Sequence, residues 1–378
     1  KVYILMAKRN FDAADIFGEK RARLEFFGAS HFRQRLICAT LAHRSIVISD
    51  IRINTLEIGL KDYEASFLRL LEKITNGCRI RINETGTQVS YVPGFVSGGK
   101  NIKHDCPPSR GVGYFLEALF CLAPFGKEPL SINLTGVTNN DSDISVDIMR
   151  TVTLPLLANF GLEDGLELKI TRRGAPPLGG GLVEFKCPTV KTLNAVMMLE
   201  EGEIRRIRGI AFATRVSPST CQRLVSSARD VLNRVVADVF VYTDHYKGKE
   251  AGLSPGFGVS LVCESTTGAL LSAEALAAPG ELPESLGTRV SALLLEEVAR
   301  RGVCDTTNQS LLLLYMVVCT EDVSRIRLGK LSPYTIQYLR HLRDFFGVTF
   351  KIEPDSATGT VVLTCLGIGF QNLARRLY

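Results

Sequence analysis

Amphipathic segments with helical spacing alternate along the chain with short segments in which apolar and polar residues alternate. Glycine adopts the left-handed conformation that ends a helix at little cost. Alternation with a period of two is typical of a half-buried strand. The pattern predicts a repeated unit of a helix, a glycine and a pair of antiparallel strands. Four helical segments fit it: 62–76 before Gly77, 114–125 before Gly126, 144–160 before Gly161, and 334–346 before Gly347.

The spacing of these glycines also predicts an insertion. The third and fourth glycines are far apart, and residues 199–283 between them carry a helical pattern at 218–236 with strand patterns on both sides. We therefore predict an α/β (α+β) fold in which a smaller α/β domain, 199–283, interrupts a large domain of repeated helix–sheet units. The large domain is predicted to comprise residues 25–198 and 284–378, with residues 1–24 as an N-terminal extension.

Composition excludes several classes of protein. The 378 residues are 46% hydrophobic and 22% charged, which provides a large core and excludes a mainly disordered chain. The longest apolar run, 311–318, is much shorter than the roughly 20 residues that cross a bilayer. The first residues lack the apolar segment of a signal peptide, and we expect no membrane association. A net charge of +6 is compatible with a polyanionic partner but does not indicate one.

The cysteines and histidines give no sign of a metal site. None of the ten cysteines forms a CxxC pair, and none of the five histidines lies in an HxH or HExxH motif. Most of the cysteines lie in apolar segments, where a thiol behaves as a small hydrophobic group. We therefore expect reduced thiols in a cytosolic or nuclear protein, without a metal or another cofactor.

The most unusual local sequence is the glycine-rich segment 172–181. Two arginines, Arg172 and Arg173, precede three consecutive glycines, Gly179, Gly180 and Gly181. Guanidinium groups beside free backbone amides can bind a phosphate or an RNA backbone. The spacing matches neither a Walker nor a Rossmann motif. A wide turn between two strands is an equally good interpretation of the residues alone.

The last predicted helix offers a second candidate surface. We predict a polar ridge opposite the apolar side chains of Tyr334, Tyr338, Leu342 and Phe345. The ridge comprises Gln337, Arg340, His341 and Asp344, with Arg343 at its margin. Such a ridge suits phosphate binding or, through His341, general acid–base chemistry, although a solvated helix face has the same pattern. Basic pairs on predicted strands, Arg79 with Arg81 and Arg206 with Arg208, suit either RNA contact or solubility.

Residues 173–181, which read RGAPPLGGG, resemble the signature of RNA 3′-terminal phosphate cyclases. The resemblance extends from about residue 27 to the C-terminus and is closest to the cyclase-like branch of eukaryotic ribosome biogenesis. It implies a large domain of repeated helix–sheet units with a smaller domain inserted, in agreement with the pattern. Further matching segments are 32–36, 59–64, 73–77, 122–125, 214–218, 254–258, 307–310 and 331–335.

Departures from the family pattern bear on chemistry. Active cyclases carry a nucleophilic histidine in a His-x-x-Thr-Asn segment, and the equivalent segment here begins with Leu331, which cannot attack a phosphate. The glycine-rich segment of cyclases near the N-terminus keeps little beyond Arg33, and a family aspartate is replaced in 307–309. The resemblance therefore implies that ATP-dependent cyclisation is lost. It also implies retained anion contacts at Arg33, Arg52, Arg172 and Arg173, with Arg340 and Arg343 as a second surface.

For function, the resemblance implies a non-cyclase assembly factor of the nucleolar small-subunit processome. Such a factor would act in early pre-rRNA processing, in the nucleus, with pre-rRNA, processome components and a large nucleolar GTPase as partners. Two enzymatic alternatives remain open from the sequence. One is a pre-rRNA endonuclease that uses Arg340, His341 and Asp344, and the other is a residual RNA 3′-phosphate cyclase.

Overall fold

The computed structural model of the protein describes residues 23–375. Three four-stranded sheets have the same pattern of strand pairing. In each, an edge strand pairs in parallel with its neighbour, and the remaining pairs are antiparallel. Each sheet is built from a strand, a helix, a parallel strand, further helical structure and a final hairpin. The predicted α/β class is confirmed.

The first unit begins the described chain and forms the sheet β1-β2-β5-β4. Its second helix begins with a capping box, in which the Lys61 amide donates to Glu64 Oε2 over 2.9 Å. Two short strands pair with each other beside this sheet. The elements are β1 (Leu24–Phe27), α1 (Phe32–Leu41), β2 (Ile46–Ser49), α2 (Asp62–Ile74), β3 (Thr75–Asn76), β4 (Arg79–Ile82), β5 (Val89–Val92) and β6 (Phe95–Val96).

The second unit forms the sheet β7-β8-β10-β9. A π-helical segment, Met149–Thr153, joins two short helices in place of the single helix expected at 144–160. Pro155, two residues after this segment, has no N–H to continue regular α-helical bonding. The elements are β7 (Gly99–Asp105), α3 (Val112–Leu122), β8 (Leu130–Gly136), α4 (Val146–Ile148), α5 (Leu154–Ala158), β9 (Glu167–Arg172) and β10 (Gly181–Cys187).

After the short strand β11 (Met197–Met198), the chain forms a separate sheet with its own core. We call residues 204–300 the inserted unit. Its elements are β12 (Ile204–Thr214), α6 (Pro218–Leu232), β13 (Val239–Tyr246), β14 (Gly256–Ser265), β15 (Leu270–Leu276) and α7 (Pro283–Arg300). Leu286, Val290 and Leu294 of α7 lie in this second core. The predicted boundary at residue 283 had assigned that helix to the large domain.

The third unit is completed after the insertion, by α8 (Gln309–Val318), β16 (Val323–Leu328), α9 (Pro333–Phe346), β17 (Lys351–Asp355) and β18 (Thr360–Leu366). Every residue of α8 is buried, so the longest apolar run of the sequence is a central helix of the large core. The Tyr315 hydroxyl within it donates to the Phe120 carbonyl over 2.7 Å. Within residues 23–375, no helix is long and apolar enough to cross a membrane.

The repeat itself differs from the predicted one at its second copy. Residues 114–125 contain most of α3, which links the parallel strands β7 and β8 and does not precede a hairpin. Gly126 has a φ of −70°, so its backbone is outside the left-handed region, whereas Gly77, Gly161 and Gly347 have φ values of 82°, 81° and 73°. The large domain therefore contains three longer units, and the helix–glycine–strand pattern had combined two different helix positions within them.

Candidate anion-binding sites

The glycine-rich segment forms a turn that is packed against the inserted unit. The Gly179 amide donates to the Ala175 carbonyl over 2.9 Å, and the Leu178 amide donates to Ser254 Oγ over 3.0 Å. The Gly179 carbonyl in turn accepts from the Leu253 amide over 2.8 Å. These contacts use the amides of Leu178 and Gly179 within the fold. The structure therefore supports the wide-turn interpretation for this part of the segment rather than an open phosphate cradle.

Arg173 lies at the junction between this turn and the inserted unit. Its two terminal nitrogens donate to Asp147 Oδ2 over 2.5 Å and to Asp147 Oδ1 over 3.0 Å, and one of them also reaches Asp244 over 2.7 Å. The guanidinium carbon lies 4.4 Å from the centre of the Phe212 ring. Arg173 is 1% exposed, and Asp147 is fully buried. Arg173 was predicted as an anion contact, but two carboxylates of the protein already occupy that role.

The close contact between Arg173 and Asp147 shifts the pKa values of both groups towards their charged forms. Burial alone would lower the pKa of the Arg173 guanidinium, but the charges of Asp147 and Asp244 outweigh it and raise that pKa. Burial would likewise raise the pKa of Asp147, but Arg173 and the amide of Asn139 lower it. Both groups therefore stay ionised. Through Asp147 on α4 and Asp244 on β13, Arg173 links the large domain to the inserted unit.

Arg33 lies on α1, close to the first turns of α3 and α9. It donates to the Tyr114 carbonyl over 2.7 Å and forms an ion pair with Glu117. It also interacts with the side chain of Tyr334, which stacks on His31 with ring centroids 4.4 Å apart. Buried polar atoms without a hydrogen-bond partner among the described residues remain here, namely His31 Nδ1, Arg33 Nε and Arg35 Nε. Several buried nitrogens of this predicted anion contact thus lack a described partner, and we call the residues around Arg33 the Arg33 cluster.

The other predicted arginines are engaged to different degrees. Arg52 is paired with Glu64 through two hydrogen bonds of 2.7 Å, and Glu64 also caps α2. Arg172 donates to the Gly180 carbonyl over 2.5 Å and is half-buried, with no carboxylate among its described partners. Arg33, Arg52 and Arg173 are thus each neutralised by a carboxylate. A phosphate would have to displace or bridge these pairs, whereas Arg172 is accessible without such competition.

The predicted ridge on α9 is wrong at His341. Residues seven apart lie on nearly the same face of a helix, so His341 belongs with Tyr334 and the apolar stripe. It is 2% exposed, and its ring contacts Phe26 and His31 at centroid distances of 5.4 and 5.2 Å. Arg340 and Arg343 are exposed, and Asp344 is half-buried beside Arg343. Arg340, His341 and Asp344 therefore do not form one solvent-facing acid–base group.

Burial gives His341 a testable effect on stability. Burial, with the nearby charges of Arg35 and His31, lowers the pKa of His341 to about 4. An imidazole that is neutral in the folded state and charged in the unfolded state makes stability fall as the pH drops from about 6.5 to about 4. Between pH 8 and pH 5, the free energy of unfolding of His341→Phe should fall by about 2 kcal/mol less than that of the wild type. Urea unfolding at both pH values measures the difference. Equal losses would contradict the burial of an uncharged imidazole.

The structure brings together residues that the sequence patterns did not single out. Arg110 forms two hydrogen bonds, of 3.0 and 2.9 Å, from Nε to the Asp143 carboxylate, and its guanidinium lies 4.7 Å from the Tyr114 ring centre. The Arg33 guanidinium lies 4.5 Å from the same ring. The Tyr114 ring thus contacts two cations. The only local signal is the sequence Arg-Gly-Val-Gly at the start of α3, which is too short to predict this arrangement.

Comparison with known proteins decides the family. The sequence profile of RNA 3′-terminal phosphate cyclase matches residues 24–352. A probable RNA 3′-terminal phosphate cyclase-like protein of Dictyostelium discoideum is 54% identical over 370 residues, covering 94% of this chain and 100% of that protein. The chain belongs to the RNA 3′-terminal phosphate cyclase family.

Two further relatives match nearly the whole chain. The RNA 3′-terminal phosphate cyclase-like protein of Homo sapiens is 50% identical over 366 residues, covering 94% of this chain and 98% of its own. The rRNA processing protein rcl1 of Schizosaccharomyces pombe is 43% identical over 356 residues, covering 93% of this chain and 98% of that protein. The resemblance inferred from the glycine-rich segment is confirmed.

Within residues 23–375, no group of three or more His, Cys, Asp or Glu side chains is placed to hold a metal ion.

Proposed function

We propose that this cyclase-family protein is a non-cyclase assembly factor of the small-subunit processome that acts in early pre-rRNA processing. Its similarity to an rRNA processing protein carries the proposal, because that similarity extends over 93% of the chain at 43% identity. A protein in this role would work in the nucleolus and bind pre-rRNA and a large nucleolar GTPase. The proposed action is to hold RNA and protein partners together.

The absence of cyclase chemistry is part of the proposal. Leu331 stands where the family resemblance implies the nucleophilic histidine, and its side chain packs against the core. On the two sides of the Tyr114 ring, Arg33 and Arg110 are balanced by Glu117 and Asp143. A site whose cations are already paired has less capacity to stabilise the charge of a transferring phosphoryl group. These features support the absence of cyclase chemistry from the proposed function.

The decisive experiment replaces the endogenous protein with this chain in cells that depend on it. We expect depletion to accumulate early pre-rRNA precursors on northern blots and to reduce small subunits. Expression of the wild type is expected to restore both, and its purification is expected to recover pre-rRNA and a GTPase. Normal processing after depletion would contradict the proposal. Transfer of label from ATP to the purified protein would instead support a retained cyclase, and site-specific cleavage of pre-rRNA would support a nuclease.

The exposed arginines of α9 are the second proposed RNA contact. Arg340 and Arg343 are both exposed, and Arg340 has only Gln337 as a described hydrogen-bond partner. We expect Arg340→Gln/Arg343→Gln to weaken binding to pre-rRNA fragments and to reduce the salt slope of log Kd by about 1 to 2. Filter binding between 50 and 200 mM salt measures both quantities.

A matched control separates local contact from general charge. Arg223 and Arg289 are exposed on the helices of the inserted unit and are paired with Glu284 and Glu281. Arg223→Gln/Arg289→Gln changes the net charge by the same amount. We expect this variant to bind RNA almost as the wild type does. An equal loss in both variants would show that α9 has no special role.

A further inference from the structure

The inserted unit leaves part of one sheet face open. Its helices α6 and α7 pack on one face of the sheet β13-β12-β14-β15. On the other face, the large domain covers β15, where Glu274 Oε1 accepts from the Ser145 amide over 2.7 Å and Ser272 bonds Asp305. The face is open at β13, where Phe240 and Tyr242 are 50% and 57% exposed.

The two aromatic side chains form an ordered pair. Phe240 and Tyr242 occupy alternate positions of β13, so they point to the same face of the sheet. Their ring centroids lie 4.6 Å apart with an angle of 72° between the planes. In the register of the sheet, Phe240 lies opposite Arg208, and Tyr242 lies opposite Ile210. We call the face formed by Arg206, Arg208, Ile210, Phe240 and Tyr242 the aromatic platform.

The charges around the aromatic platform favour an anionic ligand. Arg206 is paired with Glu264, and Arg208 with Asp238, in partly exposed ion pairs that contribute little stability. A phosphate can take the place of either carboxylate at low cost, because a guanidinium binds both groups with the same geometry. Five cations and four carboxylates lie along β12, β13, β14 and the segments on either side of β13, and one of the carboxylates, Asp244, is bound by the buried Arg173. The cations are Arg205, Arg206, Arg208, Lys247 and Lys249, and the other carboxylates are Asp238, Glu250 and Glu264.

We propose that the aromatic platform binds single-stranded RNA, with bases stacked on Phe240 and Tyr242 and phosphates near Arg206 and Arg208. A sheet face that combines exposed aromatic rings with cations recognises unpaired bases, whereas bases inside a duplex are not available for stacking. The choice of RNA as the nucleic acid rests on the proposed function. The platform thereby adds an RNA contact on the inserted unit, away from α9.

The strand also connects the platform to the glycine-rich turn. Beyond Tyr242, β13 continues to Asp244, which bonds Arg173, and to Tyr246, whose ring centre is 5.8 Å from the Arg173 guanidinium. Arg172 precedes Arg173 and is half-buried. An RNA strand that continues along β13 from the platform would therefore approach the glycine-rich turn, where Arg172 is accessible.

β13 is also an edge strand, so an extended peptide is the competing ligand. A peptide would pair with the backbone of β13 and would not require aromatic rings on the sheet face. The pairing of two rings with neighbouring guanidinium groups favours RNA. Retained RNA binding together with loss of a protein partner in the platform variant would overturn the RNA assignment.

The chain contains no tryptophan, which allows a direct test of stacking. Tyr242→Trp places a single tryptophan on the aromatic platform. We expect its fluorescence to be quenched saturably by a 12-nucleotide oligouridine, and not by a duplex of equal length or an abasic ribose-phosphate strand. A tryptophan that does not respond, at concentrations where the wild type binds the oligouridine, would overturn the proposal.

Affinities measured by fluorescence anisotropy provide the second readout. We expect Phe240→Ala/Tyr242→Ala to weaken oligouridine binding by about tenfold or more. The conservative exchange Phe240→Tyr/Tyr242→Phe should keep binding within about twofold of the wild type. Phe95→Ala removes another exposed aromatic ring, which lies in the large domain, and should have no effect. Wild-type affinity in the double alanine variant, or no oligouridine binding by the wild type, would overturn the proposal.

Failure of this inference is distinguishable from failure of the proposed function. If the double alanine variant restores pre-rRNA processing and still crosslinks to pre-rRNA elsewhere, the platform is overturned and the proposed function stands. If depletion of the protein leaves processing normal, the proposed function fails whatever the platform binds in solution. Crosslinks from pre-rRNA to Phe240 or Tyr242 in purified particles would support both.

Discussion

Replacing Arg173 with methionine is expected to reduce the free energy of unfolding by about 3–5 kcal/mol. The substitution leaves the fully buried Asp147 carboxylate without its cationic partner. It also removes the hydrogen bond to Asp244 and the cation–π contact with Phe212, whose ring centre lies 4.4 Å from the guanidinium carbon. Because these partners come from both the large domain and the inserted unit, the loss is expected at their junction. Urea unfolding followed by circular dichroism measures the change.

The neighbouring arginine provides the control for this prediction. Arg172 is half-buried and donates to the Gly180 carbonyl, without a carboxylate among its described partners. Arg172→Met should cost less than about 1 kcal/mol, because no charge is left unpaired. Arg173→Met/Asp147→Asn should recover part of the loss by removing the orphaned charge. Equal stability of the Arg172 and Arg173 variants would contradict the structural role of Arg173.

The second large effect is expected at Gly174. A Cβ atom there would lie 2.4 Å from the Gly181 amide nitrogen and 2.5 Å from the Gly136 carbonyl oxygen. Both contacts are to backbone atoms, which a side-chain rotation cannot move away. The carbonyl of Gly174 is also held by the Thr138 amide over 2.8 Å. We expect Gly174→Ala to destabilise the protein by about 3 kcal/mol, in thermal or urea unfolding.

Gly359 provides a control for the steric clash expected at position 174. It has a φ of 71° at the turn before β18, and a Cβ atom there would meet nothing within 4 Å. Gly359→Ala should cost only about 1 kcal/mol, from backbone strain alone. If both alanine variants lose the same stability, close backbone packing is not the reason for glycine at position 174.

The sequence patterns predicted the parts of the fold that depend on local periodicity. The helix patterns at 334–346 and 218–236 agree with α9 and α6 within a few residues. Short parallel edge strands could not be predicted in this way. One of them, β11, has only two residues, and its partner β16 lies far along the chain. The assignment of α7 to the second core also depends on contacts between distant segments, which periodicity does not report.

The sequence named candidate site residues but did not reveal the carboxylates that pair with them. The sequence identified Arg33 and Arg173, but their carboxylate partners are 84 and 26 positions away, and a further partner of Arg173 is 71 positions away. No local pattern reveals such pairing. The error at His341 had a different origin, because the seven-residue spacing from Tyr334 already places the two side chains on one helix face. That position was predictable from the sequence.

The position of the inserted unit imposes an order on folding during synthesis. The third sheet joins residues on either side of the insertion, and the Val196 amide bonds the side chain of Ser324, 128 positions later. The first two sheets and the inserted unit each contain strands that are complete before Ser324 is synthesised. Domains fold in the order in which they leave the ribosome, and long-range pairing is slow. Closure of the third sheet is therefore the late step that holds α8 in the centre of the finished core.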